Sequence, residues 1–266
     1  MIRIAMVGAA GKMGRRIISL IQDDDRCELS GALEHSACPF LGHDAGEVAG
    51  CGKLGVKITS DMNEALGNCD VFIDFTGAEP TMKNLEAYRK IGKPMVIGST
   101  GLTAEQTEKV KDLAKDMPVL FSPNMSLGVN LTFKVLEMVT KAIGERYDIE
   151  IVEAHHRLKK DAPSGTAMKM GEVIANVLGR DIEKDGAFCR HGIIGERTDK
   201  EIGMQTLRAG DIVGEHTVMF CGQGERIEIT HRAHTRDTFA NGAISAAVWL
   251  GGKPTGFYNM FDVLGL

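Results

Sequence analysis

The chain has 266 residues, of which 43% are hydrophobic and 25% charged, values that exclude disorder and coiled coil as starting points. Its 31 basic and 36 acidic side chains give a net charge of −5, which argues against nucleic acid as the main partner while leaving room for a local basic pocket. It carries 32 glycines where an average chain of this length has about 19, and the excess falls at strand ends rather than in a low-complexity tract. In chain order, residues 2–7 form a short β-rich apolar run, followed by a glycine-rich turn and a helix over 15–21. A second strand is expected at 28–33. The stretch 42–55 allows no structural reading. A buried strand follows at 71–75, then a helix over 81–90 and a strand at 94–97. The next helix opens at Thr103, with Gln106 completing a capping box, and a strand at 119–121 closes the set. Short apolar strands alternating with helices predict a Rossmann-like, doubly wound parallel sheet.

Beyond residue 122 the pattern changes. A helix over 128–143 precedes a strand at 148–154, a loop, and a helix over 164–178. Three strand-like stretches, 204–208, 215–221 and 226–232, then follow with no helix between them, and residues 222–225 supply a tight turn. That pattern predicts an α+β domain with an open antiparallel or mixed sheet. The alanine-rich helix over 238–250 is placed to return to the first domain. The expected division is 1–126 with 237–266 as a dinucleotide-binding domain and 127–236 as a substrate-binding domain, with a hinge near 126 and 236.

The first residues are too soon interrupted by Gly8, Gly11 and Lys12 for a signal peptide, and no apolar run approaches the ~20 residues of a membrane span. The six cysteines form no C-x-x-C pair and read as scattered reduced thiols. A cytoplasmic protein with no membrane attachment is expected.

Two segments carry chemistry. The first is Gly8-Ala9-Ala10-Gly11-Lys12-Met13-Gly14, set between a strand and a helix, where glycines let the backbone approach a pyrophosphate at the helix N-terminus. Glu34 lies 20 residues after Gly14 at the end of the second strand, where a carboxylate can accept hydrogen bonds from a ribose diol. The alternative is a structural turn and a surface glutamate. Gly98, Ser99 and Thr100, and Ser122, Pro123, Asn124 and Met125, follow later strands of the same sheet. They are candidates for contact with the ribose and nicotinamide, or else ordinary polar turns.

The second segment runs from Glu153 through His155, His156, Lys159 and Lys160 to Ser164, Gly165 and Thr166. Ser164 is placed to N-cap a helix whose first amides face an incoming anion, with the lysines adding charge. His155 and His156 point to opposite sides of an extended chain, and no third ligand stands at a metal-binding spacing, so no metal is expected.

Taken with Asp74-Phe75-Thr76, residues 208–216 and residues 238–242, these segments resemble the 4-hydroxy-tetrahydrodipicolinate reductase (dihydrodipicolinate reductase) family over essentially the whole chain. The resemblance implies an oxidoreductase of lysine and diaminopimelate biosynthesis that uses NADH or NADPH on a cyclic imine dicarboxylate. It also implies a homotetramer built through the second domain. Carried over position by position, it implies His155 and Lys159 as the proton-handling pair, and His156, Ser164, Gly165 and Thr166 as substrate contacts; the residues themselves offer Arg236 as a further candidate for charge contact. The implied cofactor contacts are Gly8, Ala9, Ala10, Gly11, Lys12, Met13, Glu34, His35, the 98–100 loop and the 122–125 loop. His35 and Gly77 depart from arginines found in relatives. NADH is therefore expected to serve at least as well as NADPH, with Lys12 able to pair with a 2′-phosphate. Three rivals share parts of the pattern. A different two-domain dehydrogenase has no need of the His-His-Arg-x-Lys segment, a dinucleotide sensor has no need of the lysine loop, and a metal hydrolase needs ligands the sequence does not offer.

Overall fold

The computed structural model describes all 266 residues, which form two units: residues 1–127 with 237–266, and residues 128–236. In the first unit, β1 (Ile2–Val7), β2 (Cys27–Leu33), β3 (Ile58–Thr59), β4 (Val71–Asp74), β5 (Met95–Ile97) and β6 (Pro118–Phe121) alternate with helices α1 (Lys12–Ile21), α2 (Ala45–Ala49), α3 (Met62–Leu66), α4 (Ala78–Ile91) and α5 (Ala104–Leu113). All four residues of β4 are buried, as befits a central parallel strand covered on both faces. Helix α1 starts three residues earlier than the sequence indicates and buries Gly14, Ile17, Ile18 and Ile21, one face of a 3.6-residue repeat. Helix α4 also starts early, because Pro80 lies in the first turn, where its missing N–H has no helical partner to lose. The predicted capping box of α5 is present, with Gln106 N–H donating to Thr103 Oγ1 at 3.2 Å and Thr103 N–H donating to Gln106 Oε1 at 2.8 Å. The unread stretch 42–55 folds around Asp44, whose carboxylate accepts from the amides of Gly46, Glu47, Leu54 and Gly55.

The second unit holds most of α6 (Leu127–Ile143), then β7 (Asp148–His155), α7 (Gly165–Leu178), α8 (Ile182–Asp185), β8 (Gly186–Ala187), β9 (Ile202–Arg208), β10 (Gly214–Cys221) and β11 (Arg226–Ala233). Its sheet runs β11-β10-β7-β9-β8 and is mixed: β7 pairs antiparallel with β10 and parallel with β9. Residues 149, 151, 153 and 155 of β7 are buried, and α7 packs against β7 and β9. The period of two thus puts Glu153 and His155 on the same side as the apolar core residues Ile149 and Ile151.

The chain then re-enters the first unit as α9 (Asp237–Leu250), followed by β12 (Gly256–Tyr258) and α10 (Met260–Leu264). Strand β12 pairs parallel with β6 and completes a seven-stranded sheet of order β12-β6-β5-β4-β1-β2-β3. Three residues beside a proline and glycines gave no strand pattern in the sequence. Gly242 lets α9 lie against the loop after β6, since a Cβ there would stand 1.8 Å from the Met125 carbonyl oxygen. No helix is long and apolar enough to cross a membrane.

Candidate active site

In the first unit the glycine loop follows β1 and is closed by its own backbone. The amides of Gly8 and Ala9 donate to the Leu33 carbonyl at 2.9 and 3.2 Å, and Gly11 N–H donates to Gly8 O at 3.0 Å. Gly8 sits at φ +79°, and a Cβ on Gly14 would come within 2.0 Å of Gly8 O, so the turn and the close helix approach both require glycine. Gly11 caps α1 without any side chain, leaving the helix end open to an anion. Glu34 is mostly buried at the end of β2; one carboxylate oxygen accepts from Ala10 N–H at 2.9 Å and the other from His35 N–H at 3.2 Å. The open start of α1 and the Glu34 carboxylate adjoin one cleft of about 730 Å³, an arrangement that fits a dinucleotide.

Gly8, Gly11, Glu34, His35 and Thr76 line that cleft, whereas the 98–100 and 122–125 loops do not. The side chains of Ser99, Ser122 and Met125 are buried, with Met125 in the apolar core. Ser122 Oγ donates to Asn124 O at 2.9 Å, and Asn124 Oδ1 accepts Ser126 N–H at 2.9 Å. These three side chains shape their loops from within, while Thr100 and Pro123 are exposed.

A residue that the sequence reading quoted without a role organises this edge of the sheet. Asp74 is fully buried and accepts from Thr76 N–H (2.9 Å), Thr76 Oγ1 (2.6 Å), Thr81 Oγ1 (3.0 Å) and Tyr88 OH (3.1 Å). Ser99 Oγ accepts Gly77 N–H at 2.9 Å and Thr81 Oγ1 lies 2.9 Å away, so the loops after β4 and β5 are tied together. Burial pushes the Asp74 carboxyl above its ordinary value against these donors, and raises Tyr88 as well.

In the second unit, strand register builds a buried polar cluster around Glu153. Glu153 pairs with Thr206 on β9 and His216 on β10, and His155 pairs with Arg208. The Glu153 carboxylate is 1% exposed and is surrounded by donors. His155 Nδ1 lies at 2.6 Å, the two Arg208 Nη atoms at 2.8 Å each, Ser164 N–H at 3.0 Å and Thr206 Oγ1 at 3.3 Å. Burial alone would raise the Glu153 pKa; the Arg208 guanidinium, His155 and the Ser164 amide outweigh it and hold the carboxyl below its usual range. An ionised carboxylate only accepts, so His155 donates through Nδ1–H and its Nε2 carries a lone pair. Burial lowers the His155 pKa and outweighs the opposing Glu153 carboxylate, so the ring is neutral near pH 7.

Lys159 follows on the loop and is anchored by Asp161, Nζ to carboxylate, at 2.9 Å. Lys160 is exposed, and His156 is half-buried with an unpartnered Nδ1. Ser164 caps α7 as predicted, its Oγ accepting Ala167 N–H at 3.2 Å, and exposed Gly165 opens the helix end with nothing near its Cα. The structure thus gathers His155, Thr206, Arg208 and the Ser164 amide around Glu153, while Lys159 pairs with Asp161 on the following loop. Sequence reasoning assigned no role to Glu153, Thr206, Arg208 or His216; the buried alternation along β7 and β10 was the signal available.

Family models described as "Dihydrodipicolinate reductase, N-terminus" and "Dihydrodipicolinate reductase, C-terminus" match residues 2–125 and 128–264. Proteins named 4-hydroxy-tetrahydrodipicolinate reductase from Geotalea daltonii and Geobacter metallireducens are each 56% identical over 266 residues, the whole of both chains. Among solved structures, a dipicolinate-bound dihydrodipicolinate reductase from Paenisporosarcina sp. TG-14 matches with a TM-score of 0.76 at 23% identity, covering 98% of each chain. An amine dehydrogenase from Mycobacterium smegmatis matches at 0.60 and 12% identity over 97% of this chain and 95% of that one, a likeness of fold alone.

Proposed function

The chain belongs to the dihydrodipicolinate reductase family, and on that premise we propose that it reduces 4-hydroxy-tetrahydrodipicolinate, which loses water to give dihydrodipicolinate and then takes up a hydride and a proton, to tetrahydrodipicolinate with a nicotinamide cofactor, in lysine and diaminopimelate biosynthesis. One observation carries this reading: the buried Glu153 carboxylate fixes His155 and also accepts the amide of Ser164 at the capped start of α7, all inside the segment matched by the C-terminal family model.

The substrate is a cyclic imine with two carboxylates, so its receptor must offer N–H donors and positive charge. Gly165 and Thr166 at the start of α7 offer the donors, with Ser164 and His156 beside them. A bound reduced nicotinamide supplies a hydride. The open start of α1 at Lys12 and Met13 would hold its pyrophosphate on the turn shaped by Gly8, Ala9, Ala10 and Gly11, and Glu34 its adenosine ribose, with the exposed Thr100 and Pro123 of the later loops as further contacts.

Reduction leaves the substrate ring electron-rich, and a proton must follow. Lys159 Nζ delivers it. Neutral His155 presents a bare Nε2, so it accepts a hydrogen bond at the reacting ring rather than donating one. Glu34 favours NADH through its negative charge and its capacity to accept from a ribose diol, while Lys12 makes NADPH tolerable. A cytoplasmic homotetramer joined through the second unit completes the proposal. The test is oxidation of NADH and NADPH, each assayed separately with freshly generated substrate. Turnover with both, and light scattering at the tetramer mass, are the expected results.

A further inference from the structure

His216 stands on β10 beside Glu153, 4% exposed, with its Nε2 at 3.0 Å from the Oγ of Ser164. Burial above all, with the neighbouring His155 adding to it, pushes the ring down to about 4, so it is neutral near pH 7 and carries a single N–H. The other nitrogen, Nδ1, is buried without a hydrogen-bond partner. Two tautomers are therefore available, and they differ in what Ser164 shows to a ligand. With the proton on Nδ1, a buried N–H is orphaned and the Ser164 hydroxyl points inward to the imidazole. With the proton on Nε2, only a lone pair is orphaned, the less costly defect. In that state His216 and Ala167 N–H (3.2 Å) fill both lone pairs of Ser164 Oγ. The one capacity left to the hydroxyl is its own proton, which no other protein group accepts.

We propose that His216 is a positioning residue: donating from Nε2 to Ser164 Oγ, it leaves the proton of that buried hydroxyl (2% exposed) as the donor to a substrate carboxylate at the start of α7. In the opposite tautomer the hydroxyl proton is spent on the imidazole, and the same oxygen would meet that carboxylate with a bare lone pair and repel it. The inference rests on the functional reading above for the identity of the anion, and on the hydrogen-bond geometry alone for the tautomer.

Long-range proton–nitrogen correlation spectra of the ¹⁵N-histidine-labelled full-length protein report the tautomer directly, and titration with dipicolinate reports the anion site. The expected spectrum shows Nε2–H for His216. His216→Leu is expected to weaken dipicolinate about tenfold, the loss of one hydrogen bond to a charged group, and to raise substrate KM more than it lowers kcat. His216→Gln, which keeps an amide donor near the Nε2 position, should recover most of the affinity. Ser164→Ala should cause a similar loss, and adding His216→Leu to it should cost little more. A Nδ1–H tautomer, unchanged dipicolinate affinity in His216→Leu, or additive losses in the double variant would each overturn the proposal. Wild-type protein that binds no dipicolinate would count against the functional reading, while the spectrum would still decide the tautomer.

Discussion

Glu153 accepts a hydrogen bond from His155 Nδ1 at 2.6 Å while both Nη atoms of Arg208 close on the same carboxylate at 2.8 Å. The arginine keeps the carboxylate ionised, the carboxylate sets the histidine tautomer, and the tautomer leaves Nε2 as an acceptor. Glu153→Gln keeps the shape and removes the charge. It is expected to lower kcat at least about tenfold and to destabilise the fold by on the order of 3 kcal/mol, because Arg208 is left without its partner. Steady-state kinetics and urea unfolding of the same preparation check both effects; a variant as active and as stable as the parent contradicts the arrangement.

Lys159→Ala is expected to lower kcat by roughly 10²–10⁴-fold with cofactor affinity nearly unchanged, the signature of a lost general acid. Cofactor titration by fluorescence separates the two quantities. Loss of substrate affinity alone, at unchanged kcat, would reduce Lys159 to a binding group.

Stability should depend on pH with a definite sign. His216 is pushed down to about 4 and His155 is also lowered, chiefly by burial, so the native state binds fewer protons than the unfolded chain, whose histidines titrate near ~6.5. Their contribution is therefore complete above that value and is lost as pH falls toward the folded-state values, with His216 alone accounting for on the order of 3 kcal/mol. The depressed Glu153 acts in the same direction at lower pH, its contribution present above the ordinary glutamate range and lost through the folded-state value. Urea midpoints measured between about pH 7 and 4 should fall steadily, and His216→Gln should flatten the upper part of the curve.

On the proposed assignment, cofactor choice turns on Glu34 and its neighbour. His35 is 70% exposed, with Nε2 3.9 Å from the Glu34 carboxylate, and offers less fixed positive charge than an arginine would. NADH should therefore give a kcat/KM at least equal to that of NADPH, and His35→Arg should raise NADPH use. A wild-type preference for NADPH above tenfold, about 1.4 kcal/mol, would mean that Lys12 outweighs Glu34.

Local signals were legible in the sequence where the chemistry is local. Thr103 with Gln106, and Ser164 before α7, announce helix starts within three residues, and the structure makes those bonds. The glycine loop and Glu34 were found for the same reason, being joined by one βαβ unit. Arg208 was not, because it meets Glu153 across 55 residues through a parallel pairing of β7 with β9 that no turn announces. Asp74 was quoted only as part of a motif; its partners Thr81, Tyr88 and Ser99 come from a helix and a second strand end, and only the folded sheet brings them to one carboxylate.

The most direct test of the central claim follows the hydride itself. NADH deuterated at both C4 positions is incubated with the protein and freshly generated substrate, and the product is analysed by mass spectrometry. The account predicts tetrahydrodipicolinate carrying a single deuterium on carbon, formed by the wild type and largely lost in Lys159→Ala. Absence of product from the wild type, or product without the label, would contradict it.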